Sequence, residues 1–154
     1  MINKEVLNDE FLKSIESNYE FSNKPINRIK ISSQPKQTKL LLENLKKEIS
    51  QIEGCELKNN GKRIVFSDGN FKSSLMIIGE GPGQKEDEMG VPFVGDAGNL
   101  LNKMFKAINL KRENLYITNV VNYRPPNNRK PNNAEINRYS KFLCEHISIV
   151  NPKI

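Results

Sequence analysis

The sequence predicts an α/β domain built on a parallel sheet. Three observations carry this expectation. Strand-like and helix-like segments alternate through the second half of the chain, as "SLMIIG", "DAGNLLNKMFKAINL", "NLYITNVV" and "NAEINRYSKFLCEHISIV". That order builds parallel sheets with right-handed helical crossovers. "SLMIIG" is apolar on both faces, the pattern of a strand covered on each side. Two glycine- or proline-rich segments, "GEGPG" after Ile78 and "TNVVNYRPPNNR" from Thr118, begin at the carboxyl ends of strands, where open α/β sheets bind ligands.

The elements follow in order. Residues 1–36 are polar, with Asn, Ser and Lys throughout, and "FSNKPINRIKISSQPKQ" reads as a proline-bearing linker. They are expected to form a poorly ordered N-terminal segment, with the domain spanning 37–154. "TKLLLENLKKEISQI" has leucine and isoleucine at helical spacing, which predicts an amphipathic helix from Thr38 to about Ile52, stopped by Gly54. "RIVFSDGN" is a short strand and turn. The helix after "PFVG" takes Asp96 as its expected N-cap and places Leu100, Leu101, Met104, Phe105 and Ile108 on one face. The last helix starts near Asn132 or Asn133. "EHISIVNPKI" reads as a helix running into the first residue of another strand, so the C-terminal part of the fold is expected to be missing.

Composition bounds the function. The 154 residues suffice for one domain with a core, and 36% apolar content is low for a compact one. Lys and Arg number 24 against 18 acids, a net charge of +6. That balance favours a polyanionic partner, although it also serves plain solubility. Cys55 and Cys144 form no CxxC pair, which argues against a disulfide framework and a complete metal site. No apolar run has membrane-spanning length and no signal peptide is visible, so a soluble cytoplasmic protein is the default expectation. In "GEGPG", Gly79, Gly81 and Gly83 would let backbone approach a ligand. No Gly-Lys-Ser/Thr follows, and the spacing with Pro82 breaks a GxGxxG pattern, which argues against nucleotide hydrolysis and NAD binding. By itself such a loop is more often an ordinary strand-to-helix turn.

The stretch "LMIIGEGPGQKEDEMGVPFVGDAGNLL" followed by "LYITNVVNYRPPNNRKP" resembles a family 4 uracil-DNA glycosylase, the kind usually carrying an iron–sulfur cluster. The resemblance runs from about Cys55 to Ile154. Three motifs, GEGPGxxED, PFVGxAGxLL and YITNxVxxRPPxNRxP, occur in order and with family spacing. It implies a three-layer α/β/α uracil-DNA glycosylase-like fold, lacking its C-terminal part. It also implies a base-excision-repair enzyme that hydrolyses the N-glycosidic bond of uracil in DNA after rotating the nucleotide out of the helix.

The resemblance assigns roles residue by residue. Asn119 reads the base edge; without the resemblance, an Asn that closes the strand through local backbone bonds is the preferred reading. Phe93 stacks on uracil, although Phe is more often a core residue. Gly79, Glu80 and Gly81 line the uracil and sugar, with Glu80 the catalytic candidate that orients water or favours a cationic sugar. Glu86 lies near C5 of the base, or else complements a helix N-terminus. Arg124, Arg129 and Lys130 follow the DNA backbone without reading sequence.

Two departures accompany the match. The family's four cluster cysteines align with Ile52, Cys55, Tyr123 and Tyr139, so Cys55 is the only retained thiolate, and Cys144 lies beyond the last site. A [4Fe–4S] cluster takes four thiolates, so no metal or cofactor is expected and bulky side chains should fill the place. The family's His-Pro-Ser/Ala segment has no counterpart, and His146 in "FLCEHI" is a helix-face residue rather than a substitute. The chain is therefore expected to be weakly active or inactive, a monomer acting on uracil-containing DNA and not on membranes. The alternative is a non-catalytic DNA- or polymerase-binding module of the same fold. An unrelated nucleotide- or sugar-phosphate-binding enzyme would not carry the three motifs together.

Overall fold

The structure is a computed structural model that describes residues 35–154. The segment expected over residues 1–36 lies outside the described residues up to position 34. Helix α1 (Pro35–Ser50) begins three residues before the expected Thr38, because proline lacks only an N–H that a first turn leaves unused. It buries Thr38, Leu42, Leu45 and Ile49, one stripe at helical spacing. The helix ends at Ser50, and Gly54, in the left-handed region at φ 58°, turns the chain beyond the end rather than capping it.

The chain continues through α2 (Glu56–Asn60), β1 (Ser67–Gly69), β2 (Met76–Gly79), α3 (Gln84–Met89), α4 (Asp96–Ala107), a 3-10 turn (Arg112–Asn114), β3 (Tyr116–Asn119) and α5 (Asn133–Val150). Strand order is β1-β3-β2. The expected parallel pairing joins β2 to β3, with Ile77 opposite Ile117 and Gly79 opposite Asn119. β1 runs antiparallel to β3, Asp68 opposite Ile117, so the sheet is mixed rather than parallel throughout. All four residues of β3 are buried, as befits the central strand.

α5 starts where the sequence suggested. Asn132 accepts from the Glu135 N–H while the Glu135 carboxylate accepts from the Asn132 N–H, a capping box. α5 packs on α1. Between them and the sheet lies a core of Leu45, Ile49, Leu57, Phe66, Val121, Tyr139 and Phe142. Each fully buried aliphatic side chain there contributes about 1.5–3 kcal/mol relative to exposure.

Three expectations are corrected. β2 is an edge strand, and Ile78 is 41% exposed rather than covered. Among the described residues its outer side is met at its base, where the Met76 N–H donates to the Ile154 carbonyl (2.9 Å) and the Ile154 N–H to Ser74 (3.0 Å). The N-cap of α4 is Gly95; Asp96 is the first helical residue, and its carboxylate accepts from Lys85 Nζ at 2.9 Å. The apolar stripe of α4 is not a core face. Leu100, Met104 and Ile108 are 60%, 61% and 63% exposed, while Leu101 and Phe105 are half-buried. Periodicity marks a face that can be buried; it does not supply the element that covers it.

Candidate functional site

The parallel register of β2 and β3 brings Gly79 beside Asn119 at the sheet's carboxyl edge. The ladder continues past the strands, with the Val120 N–H donating to Gly79 O (2.8 Å) and the Val121 N–H to Glu80 O (3.2 Å). Asn119 is 3% exposed, and its Nδ2 is buried with no hydrogen-bond partner. A Cβ on Gly79 would meet Asn119 Oδ1 and would stand 2.6 Å from Cε2 and 2.7 Å from Cζ of the Phe93 ring. Gly79, Phe93 and Asn119 therefore converge on one spot, and glycine is required there by close approach. The sequence expectation had grouped these three residues, and the fold brings them together.

Phe93 is half-buried and adopts φ 52°. For a bulky aromatic residue this is a genuine outlier that other contacts must hold. Glu86 Oε1 accepts the N–H groups of Val94 (2.9 Å) and Gly95 (2.7 Å). Arg112 donates to the carbonyls of Pro92 (2.6 Å) and Phe93 (2.9 Å). Glu86, expected near the base or at a helix N-terminus, thus sits in the first turn of α3 with one oxygen committed to the Phe93 loop. Arg112 was not expected, since "KREN" before a strand carries no motif. Asp87, the second acid of "KED", was not expected either. It is buried, and its Oδ1 accepts from the Lys62 and Arg63 N–H groups, tying α3 to the segment before β1.

Glu80 is exposed at the lip of the strand tip. It lines a groove of about 150 Å³ between the Gly79–Gly83 loop and the loop bearing Pro125, Asn128, Arg129, Lys130 and Pro131. Packing constrains Gly81: its Cβ would stand 2.8 Å from Val121 Cγ2. The three expected cations share one loop. Arg129 is already paired with Glu135 through both guanidinium nitrogens (2.8 and 2.6 Å). That contact holds the Glu135 carboxyl below its usual range. Arg124 Nε donates to Asn128 Oδ1 at 2.7 Å, and Lys130 is exposed.

The four positions aligned with cluster ligands also meet. Cys55, Tyr123 and Tyr139 are buried in the core, and Ile52 packs against it. Cys55 Sγ and Tyr139 Oη lie 3.3 Å apart, within hydrogen-bond reach. Burial, and then the Cys55 contact, raise the Tyr139 phenol well above its usual range; burial also raises Tyr123. One thiol among phenols and an alkyl chain does not fit the donor set of a four-thiolate cluster. Cys144 is exposed, and among the described residues no three His, Cys, Asp or Glu side chains could hold a metal ion together. His146 is buried at the other end of β3 from Asn119. Its Nε2 lies 2.8 Å from the Tyr116 hydroxyl, and its ring stacks on Phe66 at 4.6 Å. Burial lowers its pKa from 6.5 to about 4 and raises that of Tyr116 to about 12. It is a neutral core histidine.

Comparison with known proteins supplies relatives. The uracil DNA glycosylase superfamily matches residues 66–154. A type-4 uracil-DNA glycosylase of Thermotoga maritima is 40% identical over 74% of this chain and 59% of that protein. One from Sulfurisphaera tokodaii is 45% identical over 73% of this chain and 52% of that protein. A protein named DNA polymerase from Bacillus phage SP01 is 27% identical over 64% of this chain but 11% of its own length. The chain spans about half the length of the curated glycosylases it matches. Among the described residues no helix is long and apolar enough to cross a membrane.

Proposed function

The chain belongs to the uracil DNA glycosylase superfamily, and from that premise we propose that the protein receives a uracil nucleotide flipped out of DNA and hydrolyses its N-glycosidic bond, in base excision repair, with weak turnover or none from this chain by itself. One observation carries the reading: the buried, unpartnered Asn119 Nδ2 at the strand tip. Leaving such a donor unsatisfied costs about 1–3 kcal/mol, a cost that a ligand can remove. Uracil fits it, because N3–H donates to the carboxamide oxygen while O4 accepts from the nitrogen. Cytosine presents the reverse pattern and is rejected.

Phe93 supplies the stacking face. Glu86 shapes the C5 side of the slot by fixing Val94 and Gly95. In the reaction, water oxygen bonds to C1′ as the C1′–N1 bond breaks. The electron pair leaves on uracil, and the water's proton passes to solvent. Glu80 favours the cationic sugar and orients the water. Arg124 and Lys130 run along phosphates, with Arg129 contributing less because Glu135 already neutralises it. The core around Cys55 and Tyr139 works without an iron–sulfur cluster, so purified protein should be colourless; stoichiometric iron and sulfide would overturn that part. The protein acts as a monomer in the cytoplasm.

A second reading, a DNA- or polymerase-binding module that does not cut, is favoured by the match to a small part of a protein named DNA polymerase. A labelled oligonucleotide with one uracil separates the two. Alkali-labile abasic sites, and binding that prefers uracil over thymine and cytosine, support the glycosylase. Asn119→Asp should erode the discrimination against cytosine. Uracil left intact, with equal binding of uracil and thymine strands, leaves the module.

A further inference from the structure

We propose that Arg112, oriented by Asp68, is a positioning residue that presets the Phe93 ring by holding its backbone in the left-handed region; the proposal rests on the slot reading above. An aromatic residue at φ 52° does not stay there by its own preference. The other positive-φ non-glycine residues described are all asparagines, which tolerate that region. Phe93 is held from two sides.

On one side the first turn of α4 presses so close that a Cβ on Gly98 would fall on the Phe93 carbonyl. On the other, the guanidinium forks. Nη2 reaches Pro92 O at 2.6 Å, Nη1 reaches Phe93 O at 2.9 Å, and Nη1 also contacts Asn102 Oδ1 at 3.3 Å. Its Nε donates to Asp68 Oδ2 at 2.7 Å. Asp68 stands opposite Ile117 in the sheet, and Arg112 lies in the turn that leads into β3. The clamp therefore refers the ring to the same strand that carries Asn119, so stacking face and reading edge share one frame. The planar fork fixes two successive carbonyls and a carboxylate in one rigid geometry, which an ammonium on a flexible stem does not impose.

The test uses the full chain labelled with 4-fluorophenylalanine. Its Phe93 fluorine resonance is identified by its loss in Phe93→Leu. Arg112→Lys keeps the charge and removes the fork. The expected result is a shifted, broadened Phe93 line with the other fluorine lines and the circular dichroism unchanged. Affinity for a uracil-containing single strand, relative to its thymine counterpart, should fall about tenfold, the scale of one displaced stacking contact. Asp68→Asn should give a smaller change of the same kind. An unmoved Phe93 line in Arg112→Lys overturns the clamp whatever happens with uracil. A moved line with an unchanged uracil-to-thymine ratio overturns the positioning role. If the unsubstituted protein shows no uracil preference, the proposed function fails while the fluorine line still decides whether Arg112 holds Phe93.

Discussion

Along the single strand β3, buried polar groups meet two fates. Toward its base and middle they are partnered: the Tyr116 hydroxyl contacts Ser67 and His146, and Thr118 Oγ1 donates to Phe66 O. The neighbouring core follows suit, with Tyr139 against Cys55 and Asn122 Nδ2 donating to Val65 O. At the strand's tip Asn119 is as deeply buried, yet its Nδ2 has no partner, and the ring beside it sits on a strained backbone. Folded proteins satisfy nearly all buried polar atoms, so an exception needs a reason. The interior spends its polar groups on the fold. The tip keeps one in reserve and surrounds it with restraints, which is how a protein holds a site ready for a ligand.

The contrast can be broken first in the interior. Tyr139 is completely buried. Tyr139→Ala should destabilise the protein by about 3–5 kcal/mol in urea titration, from lost burial plus the cavity. A small loss would mean the core is loosely packed there.

His146 gives the next effect, through pH. Its folded-state pKa of about 4 lies below the ordinary 6.5. Between those values the unfolded chain binds the proton and the folded one does not, so stability is fully present above about 6.5 and falls as pH drops towards 4. The loss is on the order of 3 kcal/mol, at 1.36 kcal/mol per pKa unit. It should be absent in His146→Gln and so appear as the difference between the unsubstituted protein and that variant, followed by thermal melts across that range. An unchanged pH slope in the variant would show the ring to be solvated.

Two asparagines then set tip against core directly. Asn122→Leu leaves Val65 O without its side-chain donor and should cost about 1–3 kcal/mol. Asn119→Leu removes an orphan and should be neutral or stabilising by up to about 1 kcal/mol, while uracil preference falls about 10–100-fold. Equal destabilisation by both would erase the contrast. The smallest effect is that of Tyr139→Phe, which keeps the volume and loses the contact to Cys55 Sγ, for about 1 kcal/mol.

Much of this architecture was legible in the residues. The helix from Asn133 announces itself through Asn132 and Glu135 three residues apart, a signal that acts within one turn and needs no tertiary partner. The strands at Met76 and Tyr116 were readable from short apolar runs broken by glycine and proline, and the three ordered motifs grouped Gly79, Phe93 and Asn119 before any coordinates did. Less visible was which apolar face finds cover: α4 has the periodicity of a buried helix, yet Leu100, Met104 and Ile108 face outward.

The sequence by itself determined the elements, the motif set and the side chains available at the strand tips, because propensity, capping and period are properties of neighbouring residues. Only the tertiary structure decided that Gly79 stands beside Asn119, that the Asn119 amide is left without a partner, and that Arg112 grips the Phe93 loop. It also decided that His146 is a neutral core group and that Cys55 meets Tyr139 across 84 positions. The physical reason is separation along the chain. A hydrogen bond or its absence depends on which distant groups packing brings within about 3 Å, and strand register, not local sequence, sets that distance.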